Sequence, residues 1–312
     1  MKIVWITGKN DLQFASFRLR CWYFHQELLK QGVSSSIYRR GRFPKADVVI
    51  FQKVFSERFL RLAFELKSQG TRLVYNLSDI APPGTVNFAG TIQLLSIADH
   101  VIACSRFLGE SFVNRYNPGW SVVEDPYDFC LPIPPVVSQG RQPAVFWHGF
   151  IKNKRLFIDP LQANLGFSVF TWTDQSQPPW SLKDLSMVMS RYEIGFAPLP
   201  LENILVYGKS SNKVVGYMAA GLAVIASDHP AYRELIVSNE NGFLGRTTGD
   251  FNAAYEKLRD PVLRQAVSQG GYETVLPNYS IETLTKKLLE TLEAKKVNSY
   301  GSAINSTSPQ IP

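Results

Sequence analysis

The sequence has only three cysteines in 312 residues, Cys21, Cys104 and Cys130. They lie far apart, form no Cys-x-x-Cys pair and have no histidine at ligand spacing, which argues against a disulfide framework or a structural zinc. As small apolar residues they suit core positions. Long apolar runs are lacking too. Residues 214–227 form an uncharged stretch of 14 residues interrupted by Gly221, short of the roughly 20 needed to span a bilayer. The opening Met1-Lys2-Ile3-Val4-Trp5-Ile6-Thr7-Gly8 is too short in apolar residues for a signal peptide and reads as the buried first strand of a cytoplasmic protein. No two acidic residues stand at Asp-x-Asp spacing and no His-Glu-x-x-His occurs. Neither Gly-x-Gly-x-x-Gly nor a P-loop follows the opening strand. A metal-held diphosphate, a zinc hydrolase, a dehydrogenase and a P-loop enzyme all lose support.

What is present is a globular composition with 45% apolar and 12% aromatic residues. The 33 Lys and Arg exceed the 26 Asp and Glu, for a net charge of +7, which favours anionic partners such as phosphorylated small molecules or an acidic membrane face. Nucleic acid is not expected, because aromatic residues do not interleave with a basic stripe. The length suits two domains of about 150 residues each, and two domains imply a cleft.

Continuous apolar runs at 3–7, 48–52, 73–76 and 101–104 suit strands covered on both faces of a parallel sheet. Phe55, Phe59, Leu62 and Leu66 mark an amphipathic helix that stops at Gly70, and a second fits 16–30 before Gly32. Residues 126–143 hold five prolines and read as a linker. The alternation restarts with strands at 144–147, 167–172, 194–197 and 223–226, and with helices near 182–190, 212–220, 251–258 and 261–269. The fold class expected is α/β, with two doubly wound Rossmann-like domains facing a cleft. Their expected limits are 1–128 and 144–280, joined by the linker 129–143. A closing helix at 281–297 has an apolar face able to cross back onto the first domain, and 298–312 reads as a mobile tail.

Chemistry concentrates in a few loops. Gly208-Lys209-Ser210-Ser211-Asn212-Lys213 enters a helix that ends at Gly221 and runs into a buried strand. Free N–H groups at such a helix start, with two lysines, suit a diphosphate, although an ordinary capped helix with solvated lysines gives the same pattern. A second basic loop, His148-Gly149-Phe150-Ile151-Lys152-Asn153-Lys154-Arg155, follows the first strand of the second domain. His148 there is either a capping residue or a substrate contact. In the first domain Gly8, Lys9 and Arg18 sit in the carboxyl-end loop and the helix after it, where ligands of α/β folds bind. Arg18 and Arg20 equally suit simple surface charges. Asp79, at the end of the third strand, is placed for an acceptor hydroxyl or for an N-cap.

The segment Lys209-Ser210, Lys213, Tyr217, Ala219, Gly221 and 224–227 resembles the second-domain signature of the group-1 (family-four) glycosyltransferases of GT-B fold. Tyr232-Arg233-Glu234-Leu235-Ile236 and Asn241-Gly242-Phe243-Leu244 are similar to its continuation. The resemblance covers roughly residues 192–245. It implies transfer of a sugar from a nucleotide-diphosphate sugar in the second domain to a glycan or lipid-linked acceptor in the first, without a cofactor or metal and mostly with retention. It assigns Lys209, Lys213 and Lys154 to catalysis, and Asp79 joins them by its place at the strand end. The donor contacts it implies are His148, Gly149, Lys152, Ser210, Ser211, Asn212, Gly216, Tyr217 and Glu234. The acceptor side falls to Gly8, Lys9 and Arg18. The chain departs from the pattern at Gly216, where the family has the Glu that binds the donor ribose, and at Gly208, where many members have another Glu. A GT-B scaffold that binds without catalysing is therefore a second expectation, and a nucleotide-sugar epimerase on the same fold a third.

Overall fold

The computed structural model describes residues 1–8, 10–39, 41, 43–132, 142–203, 206 and 208–294. Lys9, most of the expected linker and the expected tail lie outside them.

The first sheet holds β1 (Lys2–Thr7), β2 (Ser34–Tyr38), β3 (Val48–Gln52), β4 (Arg72–Leu77), β5 (His100–Ala103) and β6 (Trp120–Val122). All pair in parallel, in the order β2-β1-β3-β4-β5-β6. Ile3, Val4, Trp5 and Ile6 of β1 are fully buried because helices cover both faces of the sheet. The second sheet holds β7 (Val145–Gly149), β8 (Val169–Thr173), β9 (Ile194–Ala197), β10 (Ala223–Ser227) and β11 (Phe243–Gly245). Its order is β11-β10-β9-β7-β8, again parallel. In each sheet the strand order reverses at the opening strand, β1 or β7, and the crevice beyond the carboxyl ends there is where doubly wound folds bind ligands. The two crevices face each other.

β2 and β6 are edge strands with no continuous apolar run: β2 reads Ser-Ser-Ser-Ile-Tyr and β6 has three residues. In the helix Val86–Ile97 polar and apolar residues do not sort cleanly by side, since Val86 is exposed and Thr91 buried, so it carries no clear stripe in the sequence. The helix after β1 is wound in three pieces, Ala15–Phe17, a π turn at Arg18–Trp22, and Tyr23–Lys30. Such π turns often mark functional positions.

The helix Ile281–Glu293 buries Leu284, Leu288 and Leu292 beside Ile3, Phe24 and Leu28 of the first domain. Lys287 pairs with Glu124 at 2.8 Å, and Arg72 donates to the carbonyls of Leu292 and Thr291. The chain thus crosses to the second domain near residue 127 and returns before 281. No helix among the described residues is long and apolar enough to cross a membrane.

Candidate active site

A cavity of about 340 Å³ lies between the domains, walled by the loops after β1, β3, β4, β7 and β9. From the second domain come His148, Gly149, Phe150, Lys152 and Trp180, together with the start of the helix Asn212–Ala219. Ser211 at that helix start makes no side-chain cap. The positive end of the helix therefore faces the cavity beside Lys209 and Lys213.

Lys213 sits between the rings of Trp147 and Tyr217, 5.1 and 5.9 Å from their centroids, and donates to the carbonyl of His148 at 2.6 Å. Loss of solvent lowers its pKa from 10.5 to about 7. His148, the penultimate residue of β7, stacks flat on Trp180, 5.8 Å between centroids. Burial, then the charges of Lys213 and Arg18, push its pKa well down, so the imidazole is neutral near pH 7. Its Nδ1 and the indole N–H of Trp180 are buried without a protein partner, the usual mark of polar groups that meet a ligand or water. Gly149 has φ +155, and a Cβ there would lie 2.9 Å from the Trp147 ring. Only glycine lets the chain turn from strand to loop at this point.

On the first-domain side the charges are paired across short distances. Arg18 and Arg20 are 3% and 1% exposed, so neither is a surface charge. Arg18 makes a two-pronged pair with Asp128 at 2.6 and 2.9 Å, and the Tyr23 hydroxyl joins at 2.8 Å. Arg20 donates to Asn76, to the carbonyl of Val123 and to Asp125. Both arginines border the cavity but act as its frame, because each is already paired with a carboxylate. Asp79 caps no helix. It lies between Lys53, in contact, and Lys209 of the second domain at 3.0 Å. Burial alone would raise its pKa, but the charges of Lys209 and Lys53 outweigh that and hold it below the usual carboxylate range. Lys53 itself has φ +49, a conformation rarely held by residues other than glycine.

The domains also touch directly. Ser210 donates to Asp125 at 2.6 Å, Phe14 stacks on Phe150 at 5.5 Å, and Cys104 approaches the carbonyl of Gly208. A Cβ on Gly208 would lie 2.9 Å from the backbone nitrogen of Ile80, so this seam has no room for a side chain at 208. At Gly216, which borders the cavity, a Cβ would meet nothing within 4 Å.

Several residues fall elsewhere than the sequence suggested. Lys154 pairs with Asp159 at 2.5 Å and does not border the cavity, whereas Lys152 and Asn153 do. The Lys154 side chain is drawn instead to the Asp159 carboxylate in the next helical segment. Glu234 accepts from the backbone N–H groups of Arg106 and Phe107, at 3.2 and 2.9 Å, and so caps a first-domain helix instead of facing a donor. Tyr217 and Ser211 are buried behind the cavity wall. Gly8 sits against the carbonyl of Lys53, away from the cavity lining. Cys21 and Cys104 are core residues, but Cys130 is exposed. Lys53, Asp125, Asp128 and Trp180 were missed. Lys53 follows a strand without a motif, Asp125 and Asp128 lie in the segment 123–128 that resembles the family's turn before the linker, and only the fold brings the three together.

No model of a known protein family matches the sequence, and no curated protein does. Solved structures do. Anabaena HepE in complex with UDP-glucose aligns with a TM-score of 0.66 at 15% identity, over 94% of this chain and 99% of that one. Sucrose-phosphate synthase from Thermosynechococcus elongatus gives 0.63 at 10% identity, over 94% and 98%. The pneumococcal O-GlcNAc transferase GtfA in complex with UDP and GlcNAc gives 0.55 at 14% identity, over 79% and 56%. At these identities the likeness is one of architecture, in keeping with the two parallel sheets described above: the chain has the GT-B fold.

Proposed function

We propose that the chain is a nucleotide-sugar-dependent glycosyltransferase. The observation that carries this reading is the interdomain cavity, in which an uncapped helix start with Lys209 and Lys213 faces Asp79 across the cleft. The former suits a diphosphate and the latter an acceptor hydroxyl. HepE, of the same fold, holds UDP and UDP-glucose, which supports a donor of that class.

In the reaction proposed, the bond from the anomeric carbon to the diphosphate oxygen breaks and a bond from that carbon to the acceptor oxygen forms. The acceptor proton passes to the departing phosphate on the same face of the sugar, giving retention without a protein nucleophile. Lys213, Lys209, Lys152 and the helix start stabilise charge as it builds on the diphosphate, in a space that closure keeps dry. These fixed cations perform the task a metal would otherwise have. Asp79 orients the acceptor hydroxyl. The net charge of +7 fits an acceptor at the anionic inner face of a membrane, such as a lipid-linked glycan in polysaccharide synthesis.

A thermal-shift titration with UDP, GDP, ADP, dTDP and CMP, with and without magnesium, tests the reading. It expects stabilisation by one nucleoside diphosphate, unaffected by the metal. No shift with any of them contradicts it. A second reading, a GT-B scaffold that binds without catalysing, draws on the open space at Gly216 and the lack of room at Gly208 for the carboxylates of the resembling family. Binding with no sugar transfer or hydrolysis would favour it.

A further inference from the structure

Lys53, Asp79 and Lys209 form a row of alternating charge across the domain seam, with one carboxylate serving two ammonium groups. Lys209 borders the cavity and its side chain is 41% exposed. In the absence of a ligand its strongest partner is therefore Asp79, a residue of the opposite domain. A dianionic diphosphate entering the cavity competes with Asp79 for this one ammonium group. Lys53, which also borders the cavity, contacts the carboxylate through its other oxygen, on a backbone held at φ +49 just after β3.

We infer, on the reading of the site given above, that Lys209 is an exchange cation: Asp79 holds it until the donor diphosphate takes it, and Lys53 is the positioning residue that keeps Asp79 in place afterwards. Donor binding then frees one lobe of the Asp79 carboxylate toward the acceptor, so the donor enters first. The geometry also fixes the sign of two substitutions. Removing the Asp79 charge releases Lys209 for the diphosphate. Removing Lys53 leaves Lys209 as the remaining ammonium partner of Asp79 and tightens their pairing.

Isothermal titration of the full chain with UDP tests this. Asp79→Asn is expected to bind UDP about fivefold more tightly than the unmodified chain, and Lys53→Met about threefold more weakly, the scale of a partly exposed ion pair. In a Lys209→Gln background both effects should vanish. Thermal unfolding of each variant checks that it is folded, and Asp79→Asn should unfold at a lower temperature although it binds better. If Asp79→Asn and Lys53→Met still shift affinity in the Lys209→Gln chain, the effect is general charge attraction and the exchange is wrong. If UDP binds the unmodified chain and neither variant changes its affinity, the exchange is also wrong while the donor site stands. If no nucleoside diphosphate binds the unmodified chain, the donor site falls and the exchange with it.

Discussion

Gly208 and Gly216 are eight residues apart and answer to different physics. At 208 a Cβ would press on the Ile80 backbone nitrogen at 2.9 Å, whereas at 216, inside a helix, it would meet nothing. Gly216→Ala should therefore raise stability by about 0.5–1 kcal/mol through the lost flexibility of the unfolded chain. Gly208→Ala should lower it by about 1–3 kcal/mol, because backbone on backbone cannot yield. Urea unfolding of the two variants checks both signs. In the sequence the two glycines looked alike, as losses of an expected carboxylate. Only the seam, where Gly208 meets Ile80 from 128 positions earlier in the chain, separates them.

Lys213 sets a pH dependence at the same scale. Its pKa in the folded chain is about 7 against an ordinary 10.5, so between those values the unfolded chain binds more protons and the term from this residue favours folding increasingly as pH rises. Diphosphate binding needs the protonated amine and should move the other way. UDP affinity is expected to fall as pH rises from about 7 to 9, by at most about tenfold per unit, and Lys213→Met should flatten that slope. Titration at several pH values measures it.

Among the elements, those with an apolar signature were legible. β1, β3, β9 and β10 match the continuous runs, and the helices Glu57–Ser68 and Asn212–Ala219 match stripes that end at glycine. Edge strands β2 and β6 were not, since half-exposed positions tolerate polar residues. The helix Arg106–Ser111 has a local cap, Ser105, and a second that no local pattern encodes, because Glu234, which accepts its first two N–H groups, is 128 residues away from Arg106 in sequence and in the other domain. Glu234→Ala should lower stability by about 1 kcal/mol, the usual cost of a lost cap, and leave UDP affinity unchanged. A fall in UDP affinity at unchanged stability would return Glu234 to the donor site.

At the scale of the whole molecule, the interdomain cavity exists because two sheets with the same reversal of strand order face each other and are closed by a small set of polar contacts. Ser210 with Asp125, Lys209 with Asp79 and Glu234 with the Arg106 helix all join loops after strands of opposite domains. The helix Ile281–Glu293 ties the chain back to its first domain. The two-domain plan was legible from length, a proline-rich break and repeated apolar runs. The pairing of charges across the cleft was not, because it depends on how the domains approach. The most direct test of the site is hydrogen–deuterium exchange of the full chain with and without the nucleoside diphosphate that stabilises it. The account predicts slower exchange at residues 148–153 and 208–216, with little change around the β2 and β6 edges; protection confined to any other region, or none at saturating nucleotide, would contradict it.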